Sequence, residues 1–168
     1  MIKRELYMNR IRPFIGGELI KVMTGIRRSG KSVMLELIKE ELAEAGVAPS
    51  QMISINFEDM RYSHLQTATA LHDEIIKRAE GIEGKAYLFF DEIQEVEGWE
   101  KCVNSLRVAL DCDIYITGSN AKLLSGELAT YIGGRYVEFV IYPFSFAEFL
   151  ELYHTIAPVS YTHLTLPT

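Results

Sequence analysis

The sequence of 168 residues is long enough for one domain with a hydrophobic core. Its hydrophobic fraction of 48% and its charged fraction of 24% are those of an ordinary globular protein. The net charge of −6 excludes an overall basic surface for nucleic acid. A local basic patch stays open, with Arg27 and Arg28 as its candidates, so binding of nucleic acid is left uncertain.

The amino terminus has basic residues, but no apolar run follows them, so a secretory signal is not expected. No stretch approaches the roughly 20 apolar residues that a membrane helix needs. The two cysteines, Cys102 and Cys112, have no metal-ligand spacing and are expected to be small buried hydrophobes. We therefore expect a cytoplasmic protein without a membrane segment.

Apolar residues change periodicity repeatedly along the chain, and each change predicts a new helix or strand. The predicted helices cover residues 7–15, 31–45, 71–79, 99–110 and 124–132, and a last helix begins at 146. The predicted strands cover residues 19–23, 52–57, 86–90, 114–116 and 136–142. Strands that alternate with helices are typical of an α/β fold, in which parallel βαβ units are covered on both faces.

A glycine-rich segment joins the first predicted strand to the following helix, and it reads Gly25-Ile26-Arg27-Arg28-Ser29-Gly30-Lys31-Ser32. Such a turn lets several backbone N–H groups and the helix dipole face a phosphate. The two glycines allow the chain to wrap closely, Lys31 can reach the β- and γ-phosphates, and Ser32 can hold Mg²⁺. The segment predicts a phosphate-binding loop for a nucleoside triphosphate.

Two acidic residues, Asp91 and Glu92, end a continuous apolar run that predicts a strand buried on both faces. Beside a phosphate loop, Asp91 is expected to support Mg²⁺, and Glu92 to orient or deprotonate the attacking water. The acid pair favours hydrolysis of ATP over transfer of phosphate to another acceptor. It also indicates the catalytic-glutamate branch of P-loop NTPases, a three-layer fold with a five-stranded, mainly parallel sheet in the order 5-1-4-3-2.

Three further positions carry less specific signals. Asn120, or Ser119 beside it, follows the fourth strand and is a candidate for touching the γ-phosphate or the water, with helix capping as the alternative. Asn56 follows the second strand, where its amide could hold Glu92 in an inactive pose. Arg135 precedes the fifth strand and could face a γ-phosphate of its own or of a neighbouring subunit, so a homo-oligomer stays open. The alternative for Arg135 is a surface salt bridge.

The last ten residues, 159–168, have no charge and no helical period. They resemble the translation of a transposon-end adapter that is used in preparing DNA sequencing libraries. We therefore expect a C-terminally truncated ATPase domain over residues 1–158, followed by a non-native tail.

Together, these segments resemble a group of prokaryotic AAA-superfamily ATPases. The resemblance rests on the residues of the phosphate loop, on 56–59, on 90–94 with Trp99, on 117–120, and on 134–136 leading to 143–146. It implies an ATP-binding domain that is followed by a C-terminal region with a domain of unknown function. That region would be the partner of ATP hydrolysis, and the alternative is a slow, nucleotide-gated switch.

Overall fold

The computed structural model describes residues 2–119, 123 and 131–156. The helices are α1 (Glu5–Ile11), α2 (Lys31–Glu44), α3 (Ala68–Ala79), α4 (Trp99–Ala109) and α5 (Phe146–Ile156). The strands are β1 (Ile20–Thr24), β2 (Met52–Asn56), β3 (Ala86–Asp91), β4 (Cys112–Gly118) and β5 (Tyr136–Val140). Short 3-10 turns cover Arg12–Phe14, Pro49–Gln51, Met60–Leu65 and Ile93–Glu95.

The five strands form one sheet in the order β2-β3-β4-β1-β5, and all four strand pairings are parallel. Read from the other edge, this is the predicted order 5-1-4-3-2, which is therefore confirmed. Because every strand runs in the same direction, the residues that follow β1, β3 and β4 meet at one edge of the sheet, its carboxyl edge.

Helices cover both faces of the sheet, and successive strand residues point into opposite cores. One core contains Leu88 and Phe90 of β3 with apolar residues of α3 and α4. The other contains Phe89 of β3 and Tyr115 of β4, whose rings stack at 4.8 Å, with residues of α1 and α2. This three-layer arrangement explains why β1 is buried along its whole length.

The predicted elements correspond to the observed ones with small differences at their ends. The first helix ends at Ile11, and a 3-10 turn that contains Pro13 replaces its predicted last turn. Strand β4 extends beyond 114–116, because its ends also pair with β3 and β1. The predicted helix at 124–132 and the tail at 159–168 lie mostly or wholly outside the described residues.

Among the helices that the structure describes, none combines the length and the hydrophobicity that are needed to cross a membrane.

Candidate functional site

The glycine-rich segment lies at the carboxyl edge, between the end of β1 and the start of α2. Gly25 (φ 152°) and Gly30 (φ 94°) both have a positive φ. A Cβ atom on Gly25 would collide with the carbonyl oxygen of Ile141, and one on Gly30 would lie 2.8 Å from an Arg4 nitrogen. Glycine is required at both positions, because the backbone turns here in close contact with neighbouring groups.

Lys31 begins α2, and only 5% of it is exposed. Its Nζ donates to the carbonyl oxygens of Gly25 and Ile26, each at 3.1 Å, so the ammonium group lies inside the curve of the loop. The same Nζ is 3.7 Å from Oε1 of Glu92. The structure thus brings the predicted phosphate lysine and the predicted catalytic carboxylate together.

Thr117 of β4 organises the acid pair at the end of β3. Its hydroxyl donates to the Asp91 carboxylate at 2.5 Å and accepts the Glu92 backbone N–H at 2.9 Å. Asp91 and Thr117 are both buried, so the hydrogen bond compensates the carboxylate for much of the water that it loses. Glu92 has a left-handed backbone (φ 56°), which turns the chain sharply after the strand.

The amide that contacts Glu92 is that of Gln94, whose Nε2 donates to Glu92 Oε2. The sequence had suggested Asn56 for this contact. In the structure the exposed Asn56 side chain accepts the Glu58 N–H at 2.9 Å and closes a turn at the end of β2. The predicted contact between Asn56 and Glu92 is therefore wrong. The Asn56 side chain is used in the turn after β2, and Gln94 contacts Glu92 instead.

A cleft of about 360 Å³ lies against the loop and the start of α2. Its lining combines cationic and anionic side chains with the predicted Mg²⁺ ligand: Arg27, Arg28, Gly30, Lys31, Ser32, Val33, Glu58 and Glu92. The volume is within the range of small-molecule sites. Arg27 is largely exposed and lies 3.9 Å from Glu58, and Arg28 and Ser32 are exposed as well.

Arg135 lies at the opposite edge of the sheet. Its carbonyl oxygen accepts the N–H of Ile20, and Tyr136 is paired with Ile20, so Arg135 flanks the beginning of β1. The phosphate loop follows the end of β1, five residues or on the order of 15 Å away. The prediction that Arg135 faces a γ-phosphate in its own subunit is therefore wrong, because a parallel β5 places its first residue at the amino edge. A contact from a neighbouring subunit stays a prediction.

Asn120 lies outside the described residues. Ser119 is half-buried, and its carbonyl oxygen accepts the N–H of Leu123 at 3.0 Å. Contact of Asn120 or Ser119 with the γ-phosphate or the water, and the capping alternative, both stay predictions.

Sequence reasoning missed Arg4, whose side chain is fully buried beneath the loop. It donates to the carbonyl oxygen of Ser29 at 2.8 Å, to that of Tyr142 at 2.7 Å, and to the Glu148 carboxylate at 2.8 Å. The only signal was an arginine near the start of an apolar helix, and this pattern is common on protein surfaces.

Comparison with known proteins agrees with this geometry, since a family model described as an AAA domain matches residues 18–150. The chain belongs to the AAA domain family. Its general function is therefore of the nucleotide-binding ATPase type.

Two curated relatives are similar to this chain, and both are named only as uncharacterised proteins. The Haemophilus influenzae relative is 48% identical over 151 residues, which are 90% of this chain and 38% of the relative. The Methanocaldococcus jannaschii relative is 41% identical over 133 residues, which are 79% of this chain and 28% of the relative. This AAA chain thus spans well under half the length of either relative.

Solved structures share the fold. The Aeropyrum pernix Orc1 protein, solved in complex with DNA, has a TM-score of 0.62 at 18% identity, covering 92% of this chain and 49% of Orc1. Saccharomyces cerevisiae Rif2 also has a TM-score of 0.62, at 11% identity, covering 97% of this chain and 64% of Rif2. At these identities the likeness concerns the fold alone.

Proposed function

We propose that this AAA domain binds ATP with Mg²⁺ and hydrolyses it to ADP and phosphate. The observation that carries the proposal is the convergence of Lys31 and Glu92 on one cleft at the carboxyl edge of the sheet, with Asp91 next to Glu92 at the end of β3. A cation inside a glycine loop suits phosphates, and a carboxylate beside it suits the activation of water.

In the proposed reaction, the water oxygen forms a bond to the γ-phosphorus while the bond from this phosphorus to the β–γ bridging oxygen breaks. Glu92 accepts the proton of the water, and ADP leaves with the bridging oxygen. Lys31 and the backbone N–H groups of residues 25–32 balance the charge of the phosphates. Lys31 must first leave the carbonyl oxygens of Gly25 and Ile26, which it satisfies in this structure.

The residues present fit a magnesium ion that is bound together with ATP. Mg²⁺ takes one or two protein oxygens and completes its shell with phosphates and water. The Ser32 hydroxyl lines the cleft, and the Asp91 carboxylate lies at the adjacent strand end. These two groups would hold the ion, which supplies electrostatic stabilisation of the phosphates. In the described residues no three His, Cys, Asp or Glu side chains form a self-sufficient metal site.

The decisive experiment compares Lys31→Ala and Glu92→Gln with wild type in the full-length protein. We expect Lys31→Ala to lose ATP binding, because the cation of the loop is removed. We expect Glu92→Gln to keep ATP binding and to lower the hydrolysis rate at least about 100-fold. Equilibrium binding of a fluorescent ATP analogue and release of phosphate are the measurements.

Lys39→Ala is a matched control, because Lys39 lies on the same helix α2, pairs with Glu36 and does not line the cleft. It should leave ATP affinity and turnover unchanged. Wild-type ATP affinity in Lys31→Ala would contradict the proposed binding site, and wild-type turnover in Glu92→Gln would contradict the proposed chemistry.

A slow nucleotide-gated switch is the second candidate. It is favoured by the contact between Glu92 and Lys31, because this contact occupies the carboxylate oxygen that the proposed hydrolysis needs for a water molecule. A wild-type turnover of about one per hour or less, the scale of unassisted GTPase switches, with tight retention of ATP would support the switch. Faster multiple turnover would support hydrolysis as the working activity.

The domain proposal is that residues 1–158 form one ATPase domain of a longer protein and that 159–168 are not native to it. The lengths of the curated relatives support the first part of this proposal, a longer protein, since the chain covers 38% and 28% of them. ATP hydrolysis would then be coupled to a change in the remaining region or in a partner. A second copy of the chain that supplies Arg135 is one such partner. DNA is present with the Orc1 protein, but the net charge of −6 does not favour DNA for this chain.

A further inference from the structure

Gln94 lies between Glu92 and the end of β4. Its Nε2 donates to Oε2 of Glu92, and its buried Oε1, which has no hydrogen-bond partner among the described residues, packs against the end of β4. A Cβ atom on Gly118 would collide with this Oε1, so the amide fits closely against the strand that also carries Thr117. Thr117 in turn fixes Asp91 and the Glu92 backbone N–H. Gln94 thus holds the side chain of Glu92, Thr117 holds its backbone N–H, and both holding residues contact or belong to the end of β4.

The local backbone keeps Gln94 in this position. Glu92 turns the chain with its left-handed φ, and the 3-10 turn Ile93–Glu95 follows immediately. Ile93 is fully buried in the core, which anchors the turn. Because the two residues before Gln94 are fixed in this way, the backbone that carries the amide is firmly placed, as a group that orients a catalytic side chain must be.

We infer that Gln94 is a positioning residue for Glu92, an inference that rests on the proposed ATP hydrolysis. Because the amide engages Oε2, the other carboxylate oxygen of Glu92, Oε1, makes its contact elsewhere. This oxygen faces Lys31 at 3.7 Å in the structure. When Lys31 engages the phosphates, Oε1 is left to accept the proton of the attacking water. Gln94 therefore fixes which oxygen acts as the base and in which rotamer.

The test is Gln94→Met in the full-length protein, since methionine keeps the length of the side chain and removes its N–H donor. We expect kcat to fall about 10-fold or more, with KM and ATP affinity within about twofold of wild type. A contact that only supports the fold would instead lower the melting temperature and weaken ATP binding together. Gln94→Ala is measured by the same criteria in case the methionine variant does not fold.

Gln51→Met is the matched control. The Gln51 amide makes hydrogen bonds with Lys85 and Ala48, and it lies at the amino edge of the sheet, away from the cleft. It should keep wild-type kcat. A double mutant with Glu92→Gln provides the second readout: in single-turnover measurements, Gln94→Met should slow Glu92→Gln no further, because the group that it positions is gone.

The failures of the two proposals can be distinguished. Wild-type hydrolysis in Glu92→Gln would overturn the proposed function itself. If Glu92→Gln is inactive but Gln94→Met keeps the wild-type kcat, only the role of Gln94 is overturned. An equal loss from Gln94→Met in the wild-type and Glu92→Gln backgrounds would also overturn it, because the amide would then act independently of Glu92.

Discussion

At the scale of single residues, unusual backbone conformations are concentrated around the cleft. In the described part of the chain, three non-glycine residues have a positive φ: Arg4 (44°), Arg28 (66°) and Glu92 (56°). Arg28 and Glu92 line the cleft, and Arg4 donates to the loop that carries Arg28. A left-handed conformation costs a side-chain-bearing residue roughly 1–2 kcal/mol. Such strain is retained where the surrounding structure requires it, commonly at ligand sites.

A substitution at Arg28 tests this strain. Arg28→Val should lower the free energy of unfolding by about 1–3 kcal/mol, because a β-branched side chain tolerates positive φ poorly. Arg27→Val is the control, since Arg27 is the exposed neighbour and has no positive φ. Urea denaturation of both variants is the measurement. Equal losses of stability in the two variants would show that the conformation of Arg28 carries no strain.

The site could be predicted only where chemistry restricts the residue type. Glycines, a lysine and a hydroxyl at fixed offsets predicted the loop, and an apolar strand that ends in two acids predicted Asp91 and Glu92. Nothing in the order of residues indicated that Gln94, two positions on, would hold Glu92. Arg4 was missed because it meets Ser29 only after folding, across 25 residues of chain. Arg135 was misplaced because it precedes β5, and a strand that runs parallel to β1 begins at the amino edge of the sheet, away from the loop.

At the scale of elements, the parallel strands could be predicted from their apolar runs, but the polar contacts that lock them together could not. Lys21 and Asp113 lie within such runs, and both side chains are fully buried in a 2.5 Å ion pair. Asp113 also accepts from Tyr115 and from the N–H of Gly16. Burial lowers the pKa of Lys21, and the nearby Asp113 opposes this shift. The pair joins β1 to β4 at the amino edge.

Helix α5 depends on a similar polar contact. None of its residues is buried, so packing contributes little to holding it. Its Glu148 accepts from Arg4, which also binds the phosphate loop through Ser29. Burial acts to raise the pKa of Glu148, but the hydrogen bonds from Arg4 and Ser145 lower it below its ordinary value. Arg4 therefore couples α5 directly to the loop.

We expect Arg4→Met to release α5, because it removes the ion pair and leaves Glu148 without its cation. Amide hydrogen exchange in residues 146–156 should become at least about 10-fold faster, while exchange in β3 stays protected. Arg12→Met is the control, since Arg12 contacts Glu5 and Glu41, away from α5. If exchange in 146–156 is equally slow in both variants, Arg4 does not anchor the helix.

At the scale of the whole molecule, the sheet order could be predicted because one local feature, an acid pair after a strand beside a phosphate loop, is tied to one topology. The residues at which the strands end could not be predicted, because they depend on pairing with neighbouring strands. Gly118, for example, belongs to β4 because it pairs with Thr24. The two cores depend on the period-2 alternation of β3 and β4, which their continuously apolar sequence hides.

The buried thiol of Cys102, on α4, makes the free energy of unfolding depend on pH. Burial raises the pKa of the Cys102 thiol from 9.0 to about 12. Above pH 9 the unfolded chain therefore releases this proton while the folded chain keeps it, so stability falls as pH rises. Cys102→Val removes this contribution. Between about pH 8 and about pH 10.5, wild type should lose on the order of 2 kcal/mol more stability than the variant.

Urea denaturation at the two pH values measures this difference, and a further measurement above about pH 11 compares the two cysteines. Cys112→Val is a graded comparison: Cys112 is only half-buried, and mainly because of burial its pKa is raised less, to about 11. Above pH 11 the folded chain also releases the Cys112 proton, so its contribution stops growing there, whereas that of Cys102 continues toward pH 12. Identical losses of stability in wild type and Cys102→Val would mean that Cys102 ionises equally in the folded and unfolded chains, and that the α4 core admits water at alkaline pH.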